Sequence, residues 1–294
     1  MARNENEKIL AKILEVCNRL YFSNSNSFRK FFQTLSEYGI LATKGGAMIN
    51  RAVIKLSGEQ LGLGAEGSFY NDAVIDSIAL QIKQARKNGT QLAIVVGGGN
   101  LWRGREANPS MNRVKADQIG MLATVMNAIY LEEAFRKQDV AAKVMTPFPI
   151  GNFTTSYEKD KALDMMKSGN VIINAAGLGH PLFSTDTVTA LRAAELEADI
   201  VLFAKPVDGV YTADPQKVPS AKKYKSLSYS HGIKNSLGIA DMAALHMLND
   251  AGIPSYFFKL DVPESINLAC KYPETKNLEG TYLCVEGQEE FYGH

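Results

Sequence analysis

Three short segments hold the residues that could do chemistry: Lys55-Leu56-Ser57-Gly58, Gly97-Gly98-Gly99 and Gly177-Leu178-Gly179. Glycine lets a backbone turn sharply and bring its N–H groups against an anion. Arg103, shortly after the second segment, adds a planar and permanently charged fork, while Lys55 and Lys205 add compact point charges. Together they describe a long anion cradle, suited to a nucleoside triphosphate facing a second phosphate. Phosphoryl transfer asks a protein mainly for alignment and charge compensation. Lys55 is placed to contact the transferred phosphate, and Asp186 to hold lysines or a metal in position. Each residue also has an ordinary alternative. Three glycines fit a plain strand-to-loop turn, a lysine at a strand end is usually solvated, and an aspartate before a helix is usually an N-cap.

The cradle requires its segments on one rim, and the surrounding pattern predicts that they are. Strands are expected at Arg51–Leu56, Leu92–Val96, Val140–Met145, Val171–Asn174, Asp199–Phe203, Tyr256–Phe258 and Thr281–Val285. Helices are expected over 72–87, about 114–137, 158–168, from near Asp186, about 239–249, and 264–270. Val207–Tyr211 reads as a turn or small hairpin around Asp208-Gly209. This alternation predicts an α/β fold, a three-layer sandwich with a mainly parallel central sheet and helices on both faces. Ligands of such sheets lie beyond the carboxyl ends of the strands, where the glycine segments fall. The long helix carries Ile119, Leu122, Val125, Met126 and Ile129; its methionines, like Cys270 and Cys284, read as core.

Composition narrows the class. A chain of 294 residues, 46% hydrophobic and 21% charged with net charge +1, suits one large or two small soluble domains. That charge offers no field to recruit nucleic acid. No apolar run approaches the roughly 20 residues that cross a bilayer, and the N-terminus lacks the order of a secretory signal. Cys17, Cys270 and Cys284 form no C-x-x-C pair, against a disulfide framework or structural zinc. A cytoplasmic location is the expectation. Neither a Walker P-loop nor a complete dinucleotide fingerprint is present. Residues 1–47 differ from the rest, with amphipathic stretches over Ile9–Leu20 and Phe28–Leu35 separated by Ser23–Ser27. Lys44-Gly45-Gly46-Ala47-Met48 is compatible with codons forming a bacterial ribosome-binding site and start. Met48 is therefore the expected native start and 1–47 a helical or non-native extension, a docked helical extension being the alternative.

Over Met48–Val285 the chain resembles the bacterial UMP kinases of the amino-acid kinase family. The matching stretches are Lys55–Glu59, Gly97–Gly104, Met111–Asp117 with Met121–Asn127, and Val207–Pro215. The segment 111–127 separates UMP kinases from the acetylglutamate, glutamate, aspartate and carbamate kinases of the same fold. The resemblance implies transfer of the ATP γ-phosphate to UMP in pyrimidine nucleotide biosynthesis, with Mg2+ carried by ATP and no metal site built by protein alone. It implies an acceptor-binding half of about 48–190 and an ATP-binding half of about 191–294 within the domain 48–294. Lys55, Asp186 and Lys205 would form the catalytic set. Lys55, Leu56, Ser57, Gly58, Gly99, Arg103, Lys205, Tyr211 and Asp214 would meet ATP. Gly98, Leu178, Gly179, His180, Pro181, Leu182, Phe183, Ser184 and Thr185 would surround UMP, and Asp117 would recognise its ribose hydroxyls. The resemblance also implies GTP activation through Gly64, Ala65, Glu66, Gly67 and Ser68, feedback inhibition by UTP, and a homohexamer built from dimers.

The acceptor loop departs from the family pattern. Relatives carry Gly-Thr-Gly-Asn-Pro-aromatic-Phe-Thr-Thr-Asp where this chain reads Gly177-Leu178-Gly179-His180-Pro181-Leu182-Phe183-Ser184-Thr185-Asp186. Leu178 removes a hydroxyl and is expected to set apolar bulk beside the acceptor; an unpaired polar group left there costs about 1–3 kcal/mol and implies weaker UMP binding. His180 either restores a polar contact or caps the loop. The Ala204–Asp208 region around Lys205 also departs. Two other readings therefore stand beside UMP kinase: a kinase of this fold with a different acceptor, and a nucleotide-binding regulator without turnover. The joint presence of Lys55, Arg103, Asp117 and Asp186 speaks against the second.

Overall fold

Alternate residues of Arg51–Leu56 (β1) enter two different cores, with Ala52, Ile54 and Leu56 on one side and Val53 on the other. A strand buried on both faces has this two-residue period, and its sequence is a nearly continuous apolar run. In the computed structural model, which describes residues 49–62, 67–106, 108–260, 263–271 and 278–292, the chain continues through α1 (Gly58–Leu61), α2 (Asp72–Lys87), β2 (Gln91–Val96) and α3 (Arg113–Lys137). β3 (Ala142–Thr146), β4 (Thr155–Ser156), α4 (Lys159–Lys167), β5 (Val171–Asn174), α5 (Thr185–Glu195) and β6 (Ile200–Lys205) follow. The last third holds β7 (Tyr224–Ser228), α6 (Tyr229–Lys234), α7 (Met242–Ala251), β8 (Ser255–Lys259), α8 (Ser265–Lys271), β9 (Gly280–Cys284) and β10 (Glu290–Phe291). The expected start Met48, the segment before it, and Gly64, Ala65 and Glu66 lie outside the described residues.

The strands form one sheet of order β10-β7-β9-β8-β6-β1-β2-β5-β3-β4. Pairings are parallel except for β8 with β9 and β7 with β10. β1 lies between β6 and β2, so the chain builds outward to one side, returns, and builds outward to the other. The carboxyl ends of β6, β1 and β2 border the crevice that such a reversal leaves open. One face is covered by α2, α3 and α8 through Ile75, Ile78, Leu131, Phe135 and Ile266. The other is covered by α4, α5 and α7 through Met166, Val188, Leu245 and Leu248. The expected three-layer arrangement is present.

The differences from expectation are local. α1, β4, β7, α6 and β10 were not anticipated. These pieces are short or half polar, so they lack a periodic signature. Val207–Tyr211 does not form a hairpin of two strands; Tyr211 instead makes a single antiparallel bridge to Lys223. Gly209 is required there by close packing, since a Cβ would lie 2.7 Å from Thr281 Oγ1. On α3 the apolar residues do not all enter the core. Val125 is buried, but Ile119, Leu122, Met126 and Ile129 are 38–56% exposed, and Met121 borders a cavity. The sheet-facing side is made of Ala123, Ala128, Leu131 and Phe135, which leaves a second apolar stripe outward. Cys270 is buried and Cys284 partly so.

Candidate active site

The centre of the site is the first turn of α5. Ser184 is its N-cap, its hydroxyl accepting from the N–H groups of Asp186 (3.1 Å) and Thr187 (3.2 Å). Asp186 is therefore inside the helix and is not its cap. Its carboxylate reaches instead to Lys55 Nζ at 3.3 Å and Lys205 Nζ at 3.4 Å. β1 and β6 are neighbours in the sheet, which brings these two lysines from opposite halves of the chain to one carboxylate. All three side chains are largely buried. Burial pushes the Asp186 carboxyl up, but the two ammonium groups more than offset this and hold it below the usual carboxylate range. Burial pushes the Lys205 ammonium down, Asp186 works against that, and Lys55 adds to it; the result lies below an ordinary lysine.

Asp241, a residue that sequence reasoning missed, secures this turn. One carboxylate oxygen caps α7 by accepting from Ala244 N–H at 2.7 Å. The other accepts from the Thr187 hydroxyl (2.7 Å), the Thr187 N–H (3.2 Å) and the Ser184 hydroxyl. An aspartate before a helix carries no sequence signal beyond capping, so this second role could be seen only in the fold.

The glycine segments are tied to one another more closely than an anion loop alone would need. A Cβ on Gly58 would lie 2.6 Å from both Gly97 O and Gly99 N, and one on Gly98 would lie 2.9 Å from Gly120 O and Ala123 Cβ. Both positions exclude a side chain because backbones meet there. Gly97 N–H donates to Leu56 O at 2.9 Å, joining the ends of β1 and β2. Leu56 itself is fully buried in the core, and its side chain takes no part in the crevice. Ser57 precedes α1 and donates its N–H to Gln60 Oε1.

Two cavities lie near these pairings: the first reaches Ser184 and Thr185 beside Asp186, the second reaches Lys205, and Lys55, Ser57, Gly58 and Asp186 line neither of them. The first, of about 510 Å³, is bordered by Gly98, Asp117, His180, Pro181, Phe183, Ser184 and Thr185 from the expected acceptor set. Asp117 accepts from Arg113 Nε at 2.9 Å and, through its other oxygen, from the Leu182 N–H at 3.0 Å, so it holds the acceptor loop in place. Three expected residues lie differently. Leu182 is exposed and contributes its backbone to Asp117; Gly179 packs toward Pro147 and Phe148; Leu178 packs against the second core cluster. None of the three lines the cavity. The apolar bulk expected beside the acceptor is thus turned away from it, because the core below β5 offers Leu178 an apolar contact.

The second cavity, of about 740 Å³, is bordered by Lys205, Tyr211 and Asp214 together with Leu237, Ile239 and Phe257. Tyr211 donates to Asp208 Oδ1 at 2.9 Å while Lys223 holds Oδ2 at 2.8 Å. Burial, reinforced by the hydrogen bond to Asp208, pushes the Tyr211 hydroxyl up to about 12. Gly99 and Arg103, expected on the ATP side, border the first cavity and not this one. Arg103 is held by Glu106 at 2.9 Å and Glu59 at 3.2 Å. It also borders a third cavity, of about 590 Å³, with Ser68, Phe69 and Asn100. Of the expected regulatory segment only Gly67 and Ser68 are described.

A crevice of this topology, with two buried lysines bridged by one carboxylate at the strand ends, suits a phosphotransferase. The model of the amino acid kinase family matches residues 50–259, and the chain belongs to that family. Within the family it is similar to uridylate kinases. It is 40% identical over 235 residues to the uridylate kinase of Haemophilus influenzae, covering 80% of this chain and 97% of the relative. It is 41% identical over 212 residues to that of Saccharophagus degradans, covering 72% and 85%. Among solved structures, UMP kinase from Bacillus anthracis superposes with a TM-score of 0.78 at 31% identity, over 84% of this chain and all of that one (100%). UMP kinase from Ureaplasma parvum follows with 0.75 at 31%, over 81% and 100%.

Proposed function

We propose that the chain is a UMP kinase, catalysing ATP + UMP to ADP + UDP. The observation that carries this reading is the Asp186 bridge between Lys55 and Lys205, with one nucleotide-sized cavity reaching Lys205 and another reaching Ser184 and Thr185, which adjoin Asp186 in sequence. UMP occupies the 510 Å³ cavity, with Asp117 at its ribose, and ATP the 740 Å³ cavity, with its base against Ile239 and Phe257. An ionised oxygen of the UMP phosphate attacks the γ-phosphorus. The new P–O bond forms as the bond from that phosphorus to the β–γ bridging oxygen breaks, and ADP leaves with the electron pair. A phosphate of this kind is already largely ionised near neutral pH, so no general base is needed. Lys55 and Lys205 compensate charge on the transferring group, and Asp186 keeps both ammonium groups aimed at it.

Magnesium, when bound, neutralises charge on the β and γ phosphates. Such a metal would arrive with the nucleotide, because the Asp186 carboxylate is already shared by two lysines. We further assign GTP activation to Gly64, Ala65, Glu66, Gly67 and Ser68, of which Ser68 borders a cavity with Arg103, and feedback inhibition to UTP. The outward apolar stripe of α3 supports self-association, in line with a homohexamer in the cytoplasm. An ADP-release assay on the full chain, with ATP and magnesium and with UMP, CMP, dUMP, acetylglutamate and carbamate offered in parallel, tests the reading. Strong preference for UMP is expected; turnover of another acceptor in its place, or of none, overturns it.

A further inference from the structure

Asp208 borders the 740 Å³ cavity, and both of its carboxylate oxygens are held: Oδ1 accepts from the Tyr211 hydroxyl at 2.9 Å and Oδ2 from Lys223 Nζ at 2.8 Å. Lys223 does not line that cavity. Its side chain is only 9% exposed, with Glu279 at 3.5 Å from Nζ and the Tyr292 ring at 4.8 Å. Local backbone geometry places it there. Tyr211 and Lys223 stand opposite each other in an antiparallel bridge, flanked by bonds from Thr212 N–H to Lys222 O and from Tyr224 N–H to Val210 O, each 2.9 Å. Residues so paired present their side chains on one face. Gly209 leaves room for the lysine stem, since a Cβ there would lie 2.9 Å from Lys223 Cε. Burial pushes the Asp208 carboxyl up, but the hydrogen bonds from Lys223 and Tyr211 more than offset this and hold it below the usual carboxylate range. Asp208 is therefore a fixed negative charge on the wall of a cavity assigned to a polyanion, and Lys223 is the cation paired with it from outside the lining.

Resting on the assignment of ATP to this cavity, we infer that Lys223 is a positioning residue for the donor nucleotide, acting through Asp208: it holds the carboxylate that anchors Tyr211 at the cavity wall and compensates the charge that the triphosphate would otherwise meet. Lys223 itself touches no substrate. Removing its ammonium leaves Asp208 charged and without its cation, which weakens the anchor of Tyr211 and sets an uncompensated negative charge against ATP. The acceptor cavity shares none of these residues, so the effect belongs to the donor alone.

The test measures the ATP Kd by isothermal titration calorimetry in the absence of acceptor, and kcat and both KM values with UMP, on wild type, Lys223→Met, Asp208→Asn, Tyr211→Phe and the double variant of Lys223 and Asp208. Lys223→Met is expected to raise the Kd and KM for ATP about tenfold, with kcat and the KM for UMP within about twofold. Placed in Asp208→Asn, the same substitution should change the ATP Kd by no more than about twofold, because the group it acts through has already lost its charge. An equal rise in both backgrounds overturns the inference. So does a folded Lys223→Met that binds ATP as wild type does, or one that loses UMP as much as ATP. Should Lys223→Met fail to fold, Asp208→Asn and Tyr211→Phe decide: each raises the ATP Kd and spares the KM for UMP, and unchanged ATP binding in both overturns the relay. Wild type that binds ATP but transfers nothing to UMP overturns the UMP reading, while the ATP Kd values of the variants still decide the role of Lys223.

Discussion

Two ammonium groups share one buried carboxylate at Asp186, and the balance of their charges governs how the site responds to pH. Burial and the nearby Lys55 place the Lys205 ammonium below an ordinary lysine in spite of Asp186. Its charged form is thus lost earlier as pH rises. In the free enzyme, the alkaline limb of kcat/KM for ATP should fall below the ordinary lysine value. Lys205→Arg should move that limb upward, since a guanidinium does not titrate there; a limb unmoved by the substitution would assign it to another group. Asp117 permits a separate test on the acceptor side. Asp117→Asn keeps the shape but removes the charge that accepts from Arg113 and from Leu182 N–H. The KM for UMP should rise about tenfold with that for ATP within about twofold. Equal effects on both substrates would show that Asp117 does not serve the acceptor.

At the scale of elements, the site depends on how α5 and α7 meet. Asp241 joins the cap of α7 to Ser184 and Thr187 in the first turn of α5, and Asp186 lies within that turn. Asp241→Asn preserves one oxygen to cap α7 but offers an amide donor where Thr187 and Ser184 need an acceptor. The expected result is a kcat lowered about tenfold with both KM values within about twofold, because the lysines are mispositioned while the cavities persist. Thr187→Val should do the same, and the double variant should be no worse than either alone, as for two ends of one contact. Additive losses, or a loss of folded protein at unchanged kcat, would reduce Asp241 to a helix cap. The close approaches at Gly58 and Gly98 belong to this scale too: both glycines hold strand ends and α3 together at distances that no Cβ tolerates.

For the molecule as a whole, the outward face of α3 is the feature that the single chain leaves unexplained. Leu122 and Met126 are more than half exposed, at 54% and 56%, and Ile119 and Ile129 flank them at 39% and 38%. A contiguous apolar stripe of this kind marks an association surface more often than it stays in water. Met126→Lys should therefore lower the mass measured by sedimentation velocity and leave the fold intact by circular dichroism. An unchanged mass would remove α3 from the contact between copies.

Much of this protein was legible from local composition. Apolar runs such as Leu92–Val96 are buried on both faces of the sheet, so each declares itself as a strand without reference to its neighbours. Glycines immediately after them, with the rule that ligands of parallel sheets gather at strand ends, placed Lys55, Gly98 and Asp186 on one rim. Direction was not legible in the same way. Whether Asp186 caps its helix or reaches two lysines depends on Ser184 taking the cap. Whether Leu178 faces substrate or core depends on the cluster beneath β5, and whether Met126 is covered depends on the small residues that α3 turns toward the sheet. Asp241 acquires its partners Ser184 and Thr187 from residues distant in sequence. Residue types and their spacing determined the class of chemistry and the layers that hold it. The tertiary structure decided which face each side chain presents, because that is set by what packs around it.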